Sequence, residues 1–160
     1  MTGKIAKFSS IVLLLVFVTG SLSVGVLGSL ATGAGMDWYD GLVKPAGTPP
    51  NWLFGPVWST LYLLIGVSGW LIGRTKSQHK SRILLIFLTQ LLLNLSWSFL
   101  FFGMNSTLAG LINILFLNLL VALYIFTSQK VVPLAGYLFI PYQLWILYAG
   151  YLNLALWYLN

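Results

Sequence analysis

Apolar positions along the chain gather into long runs, each closed by a short stretch of polar, glycine or proline residues. The runs extend from about Ile5 to Leu30, from Trp52 to Gly73, from Ile83 to Phe102, from Thr107 to Thr127 and from Pro133 to about Tyr158. A helix rising 1.5 Å per residue needs about 20 residues to cross a hydrocarbon core of roughly 30 Å, and each run supplies that length. Backbone groups in lipid must be satisfied within the structure, so long runs of this kind are helices. The predicted fold is an all-α integral membrane protein, a five transmembrane helix bundle forming a single domain over residues 1–160.

The breaks differ in character. GMNS, Gly103 to Ser106, suits a tight antiparallel turn with Asn105 or Ser106 as the N-cap of the fourth helix. RTKSQHKSR, Arg74 to Arg82, is a basic loop, and SQKVV leads into the fifth run. Residues 31–51 form the one long connection. A cleaved signal peptide over residues 1–34 is the weaker reading of the first run, because the uncharged stretch from Phe8 to Met36 far exceeds a 7 to 15-residue signal core.

Composition agrees with the pattern. Hydrophobic residues make up 59% of the 160 and charged ones 6%, with a mean hydropathy of +0.93, against roughly 25% charged residues in soluble domains. Eight Lys and Arg face two acidic residues, Asp37 and Asp40. In a soluble domain that excess would suggest nucleic acid; here it sits at helix ends and reports topology. Lys4, Lys7, Arg74, Lys76, Lys80, Arg82 and Lys130 fall on the N-terminal side of the membrane and Lys44 alone on the other. The bias predicts a cytoplasmic N-terminus and an outward-facing 31–51 segment.

Polar residues inside the runs recur at helical spacing. Gln90, Asn94, Trp97 and Phe101 form one stripe, and Tyr142, Trp145, Ala149 and Asn153 form another, beside Pro141, which should kink the fifth helix. Amides facing lipid are costly, so both stripes should look into the bundle. Ser21, Gly25, Ser29 and Gly33 recur every four residues in the first run, a small-residue face for close packing within the chain or, alternatively, for a homodimer. Asn113 and Asn118, about 140° apart on the fourth helix, give no polar stripe, which makes a transporter of porphyrin- or sterol-like molecules an alternative of lower weight.

Depth brings three tryptophans together. Trp58 lies six residues in from Trp52, roughly 9 Å; Trp97 lies five residues from the outer end of its run, roughly 7 to 8 Å; Trp145 lies twelve residues from the inner start of the fifth, roughly 18 Å. All three fall in the outer half of the bundle, deeper than the headgroup belt where Trp52, Trp70 and Trp157 belong. An aromatic-walled cavity with a few convergent polar groups is the expected arrangement, suited to a flat hydrophobic ligand; the plainer alternative is core packing.

Reactive chemistry is scarce. Cysteine is absent, and His79, the only histidine, sits in the basic loop remote from the tryptophans. No clustered metal site is visible. The chain carries no Asp, Glu, His, Lys or Arg between Phe8 and Met36 or beyond Lys130, which argues against acid–base hydrolysis.

In order along the chain stand Trp38, Tyr39, Leu42, Lys44, Pro45, Pro49, Pro50 and Trp52; GPVWSTLY, Gly55 to Tyr62; Gln90, Asn94, Trp97, Phe101, Phe102 and Gly103; PYQLW, Pro141 to Trp145; and Leu152 with Asn153. This set resembles the TspO/MBR family, the tryptophan-rich sensory or translocator proteins. The resemblance implies a five-helix membrane fold, usually dimeric, with a pocket for porphyrins, sterols or synthetic ligands beneath the loop between the first two spans. Matching pocket positions are Trp58, Asn94, Trp97, Trp145 and Ala149, with Tyr62, Phe101 and Tyr142 on the same motifs and stripes; Trp38, Tyr39 and Pro45 fall in the lid. No cofactor is required, and free-base porphyrin suits a pocket without His or Cys as axial ligand better than haem does. Some members are credited with light-dependent porphyrin breakdown, for which Trp58, Trp97 and Trp145 would be the redox-active wall.

Two departures stand out. Many members carry an aromatic after the Lys-Pro pair, where this chain has Ala46 and Gly47, so a looser lid is expected. The basic residue that ends the animal sterol pattern is missing; Val121, Tyr124 and Lys130 fit only its loose form. Lys44 is placed to pair with Asp37, Asp40 or a ligand carboxylate. The expected location is a bacterial plasma membrane, the mitochondrial outer membrane being the alternative that the resemblance allows.

Overall fold

A computed structural model of the chain describes the backbone of residues 2–160 and side chains from residue 9 onward. The side chains of Lys4 and Lys7, part of the charge bias, lie outside the described residues. The elements in order are α1 (Thr2–Ala34), α2 (Met36–Asp40), α3 (Asn51–Gly73), α4 (Lys80–Ser98) running on through a π-helical turn (Phe99–Gly103), α5 (Thr107–Gln129), α6 (Pro133–Tyr137) and α7 (Ile140–Leu159).

Among the described residues, four helical stretches are long and apolar enough to cross a membrane: Ser9–Ala34, Asn51–Gly73, Lys80–Gly103 and Thr107–Gln129. The fifth run is not one helix, as the sequence pattern suggests, but two, parted at Leu138–Phe139. Pro141 explains the break. Inside a continuous helix its ring would meet the Tyr137 carbonyl and its missing N–H would leave a gap in the ladder, whereas in the first turn of α7 no N–H is required.

Other boundaries also shift. Helix α1 persists four residues beyond Leu30, so the lid connection begins at Gly35, whose N–H bonds the carbonyls of Ala31 and Thr32. The Ser106 hydroxyl caps α5 by accepting from Ala109 N–H at 3.1 Å, as the sequence indicates, while Asn105 takes a left-handed φ of 51° in the turn. Asn51 does not cap α3. Pro50 holds that position in extended conformation, without a side-chain cap.

Apolar side chains cover the outer surface as well as the core, and several amides are buried. Leu15, Val16, Leu92, Phe116, Leu119 and Phe126 face outward, while Ser68, Gln90, Asn94, Asn113 and Asn153 are buried. Exposed apolar surface spread over several helices is tolerable only against lipid, and interior amides then become the means of joining helices. The core is aromatic towards the end where α5 closes and α6 begins, where Tyr124 and Phe139 lie 4.0 Å apart between ring centroids and Phe87 tilts against both.

Helix α1 packs along α3 and against α4, and α5 lies between α4 and α7. Close approach depends on glycine: a Cβ at Gly66 would come within 2.6 Å of Val18 Cα, and one at Gly25 within 2.5 Å of the Tyr62 ring. The four-residue repeat of Ser21, Gly25, Ser29 and Gly33 is only half an interface. At 3.6 residues per turn it drifts about 40° per step, so Ser21 and Gly25 face the bundle while Ser29 and Gly33 end exposed; Gly28, against Ser98, and buried Ala31 complete the inner face.

Candidate functional site

The deepest part of the site centres on Asn94 of α4. Its Oδ1 accepts from the Tyr62 hydroxyl of α3, and its Nδ2 donates to the Tyr142 hydroxyl of α7 at 3.0 Å. Trp58, one turn from Tyr62, stacks on that ring at 5.4 Å and meets Tyr142 edge-on at 6.1 Å. One turn further out, Trp145 meets Phe54 edge-on at 5.9 Å. Trp58, Tyr62 and Tyr142 thus form an α3–α7 aromatic wall with Asn94 behind it, Trp145 stands one turn along α7 against Phe54, and Ala149 is half-buried one turn beyond Trp145.

A second group lies towards the lid. Trp97 stacks on Phe101 at 5.1 Å and stands perpendicular to Phe102 at 5.9 Å; its indole N–H donates to Asn153 Oδ1 at 3.1 Å, and Asn153 Nδ2 donates to the Thr107 carbonyl at 2.7 Å. The π-helical turn Phe99–Gly103 carries this group at the end of α4, and its consecutive residues Phe101 and Phe102 are both buried. The structure therefore divides the sequence-predicted residues: Trp97 and Phe101 belong with the lid, and Trp58, Tyr62, Asn94, Tyr142 and Trp145 with the main core.

Trp38 and Tyr39 do face inward from the lid. Trp38 meets Phe101 edge-on at 5.3 Å, and buried Tyr39 packs on Phe101 and Phe102. Gly35 allows the close entry, since a Cβ there would strike the Phe102 backbone. Burial pushes the Tyr39 phenol above its ordinary pKa, with Asp40 and Tyr148 adding to the effect. Lys44 departs from the expected ion pairing. Its ammonium turns back to donate to the Tyr39 carbonyl and, at 3.4 Å, to that of Leu42, and lies 4.1 Å above the Tyr39 ring.

Pro45 is buried at the start of a turn closed by Thr48 N–H donating to its carbonyl at 3.3 Å, with Gly47 at φ +85°. This is a type II geometry, which calls for glycine at the third position. The expected loosening at Ala46–Gly47 is not what the structure has: the Tyr151 hydroxyl donates to the Ala46 carbonyl at 3.2 Å and the Tyr148 hydroxyl to the Gly47 carbonyl. Asn160 brackets Val43, accepting from its N–H at 2.9 Å and donating to its carbonyl at 3.3 Å. Sequence reasoning missed Tyr148, Tyr151 and Asn160, though the i, i+3 spacing of the two tyrosines already placed them on one face of a helix.

Val121 and Tyr124 of the loose sterol pattern are fully buried, Tyr124 against the Ser68 hydroxyl at 2.8 Å, so that pattern offers nothing to a sterol in the bilayer. Asn113 and Asn118 tie different neighbours, the Ser96 hydroxyl on α4 and the Ile146 carbonyl on α7, as their angular separation requires. Fully buried Gln90 has no hydrogen-bond partner for either amide atom among the described residues, and the Trp145 indole N–H has none either.

Comparison with known proteins matches the TspO/MBR family model to residues 14–159. The tryptophan-rich protein TspO of Archaeoglobus fulgidus is 42% identical over 155 residues, 94% of this chain and 99% of that protein. Protein CrtK of Rhodobacter capsulatus is 33% identical over 154 residues, 94% of each chain. The human translocator protein is 33% identical over 128 residues, 78% of this chain and 76% of its own.

Proposed function

The chain belongs to the TspO/MBR family and is an integral membrane protein, and from that premise we propose that it is a membrane sensor or receptor for tetrapyrroles of the protoporphyrin type and other flat hydrophobic molecules. The observation that carries the reading is the aromatic wall of Trp58, Tyr62 and Tyr142, with Trp145 one turn along α7, backed by Asn94 and lying on the same side of the bundle as an α2 lid that presents Trp38 and Tyr39 inward. Of these rings Trp58 and Trp145 are only half-buried and offer a planar macrocycle an aromatic surface, while Tyr62 and Tyr142 are buried behind them, with few polar groups to orient a ligand. His79 is exposed in the loop before α4, so axial histidine ligation is not on offer near the wall, which favours a free-base porphyrin.

In this reading α6 and α7 together make a fifth crossing. Helix α7 alone, with 20 residues, is roughly 30 Å long and packs along α5. The seven-to-one distribution of Lys and Arg supports a cytoplasmic N-terminus and an outward-facing lid. Exposed Ser29 and Gly33 are the part of the small-residue stripe left for a second copy.

Titration of purified protein with protoporphyrin tests the reading. Tryptophan fluorescence should quench saturably, and Trp58→Ala, Trp97→Ala and Trp145→Ala should each weaken binding; affinity unchanged in all three removes the pocket assignment. Illumination of the complex separates receptor from enzyme, because a new chromophore formed faster than with free porphyrin would indicate photo-oxidative degradation.

A further inference from the structure

The lid is held in two chemically different ways. At one end Tyr39 is buried against Phe101 and Phe102, and at the other the lid is hydrogen-bonded, Val43 to Asn160 and the Pro45–Thr48 turn to α7 through its backbone carbonyls. The left-handed conformation of Gly47 is what presents consecutive carbonyls, Ala46 and Gly47, to that helix. Tyr148 and Tyr151, stacked at 6.4 Å with 27° between their planes, each donate to one of them. The Tyr148 ring also lies 5.9 Å from that of Trp145, so the anchor of the turn is in ring contact with the proposed ligand wall.

We propose that Tyr148 and Tyr151 are the catch of the lid: their hydroxyls hold the turn against α7, and its release is the step through which a flat apolar ligand enters and leaves. The ligand part rests on the function proposed above; the catch rests on the geometry alone. Release is easiest here because Tyr148 is half-buried and Tyr151 exposed, so water replaces each lost bond. Opening the bundle elsewhere would instead separate buried aromatic rings. An exposed hydrogen bond of ordinary net strength carries about a five-fold factor in such an equilibrium.

The test compares Tyr148→Phe, Tyr151→Phe, the double variant and Tyr158→Phe, a control whose ring is 84% exposed. In ligand-free protein, hydrogen exchange of the Thr48 amide, which is bonded to the Pro45 carbonyl within the turn, should rise about five-fold in each single variant and roughly 25-fold in the double, and not at all in the control. By stopped-flow fluorescence, protoporphyrin association and dissociation should accelerate by similar factors, leaving Kd nearly unchanged. Lid exchange unaltered in the double variant overturns the catch. Porphyrin bound with unaltered rates overturns its role in entry while leaving the pocket standing. Wild-type protein that binds no porphyrin removes the pocket, and the exchange result then upholds or overturns the catch by itself.

Discussion

The Tyr62 hydroxyl donates to the carbonyl oxygen of Asn94, and because the same amide donates onward to Tyr142, one side chain joins α3, α4 and α7 at membrane depth. Lipid offers these groups no alternative partner, so each depends on the other two. Interhelical hydrogen bonds in membranes are nonetheless modest, averaging about 0.6 kcal/mol in measured cycles, because the separated helices find partners too.

Asn94→Leu should therefore cost about 1–2 kcal/mol, since it orphans two buried hydroxyls, and Tyr62→Phe and Tyr142→Phe about 1 kcal/mol each. Thermal unfolding in detergent measures all three. Equal stability of Asn94→Leu and wild type would show that the amide is not the joint between the helices.

The glycine positions predict a contrast along one seam. Gly66→Ala places a Cβ within 2.6 Å of the Val18 backbone, which cannot swing aside, and should destabilise by about 1–3 kcal/mol as α1 and α3 separate. Gly33→Ala meets nothing within 4 Å and should be neutral or stabilising by up to about 1 kcal/mol through helix propensity. A loss of stability at Gly33 would instead indicate a second copy packed there.

Trp97 and Trp145 should separate stability from binding. Trp97→Phe deprives the Asn153 oxygen of its donor and should lower stability by about 1 kcal/mol. The Trp145 indole N–H has no partner among the described residues, so Trp145→Phe forfeits only ring packing against Phe54 and Tyr148 and should cost less stability than Trp97→Phe while weakening protoporphyrin binding. Matching effects of the two changes on both readouts would contradict this division.

Gln90 offers a stabilising change. A fully buried amide with neither atom hydrogen-bonded carries a desolvation cost of about 1–3 kcal/mol, which an apolar side chain of similar size avoids. Gln90→Leu should raise the melting temperature of the ligand-free protein; a fall would mean that the amide is satisfied in solution.

Local features were readable along the chain. The four stretches able to cross, the Ser106 cap and the inward placement of Asn94, Trp97 and Tyr142 follow from run length, capping chemistry and helical periodicity, each a matter of residues a few positions apart. The π-helical turn was not legible, because FLFFG carries no local signal; inward packing of both Phe101 and Phe102 against Tyr39 accompanies it. Nor was the division at Leu138–Phe139, since the spacing of Pro141 fits a kink as well as a new helix start.

The sequence by itself determined that this is a helical membrane protein, which of its residues avoid lipid and which family it resembles, because solvent preference and periodicity act along the chain. Only the tertiary structure decided which polar group meets which. It drew Trp97 to the lid and left Trp58 and Trp145 in the core, returned Lys44 to its own backbone and turned Ala46–Gly47 into a turn held by Tyr148 and Tyr151. Those pairings join residues up to 105 positions apart. Their geometry arises only when the helices have packed and the backbone carbonyls of the lid stand beside α7.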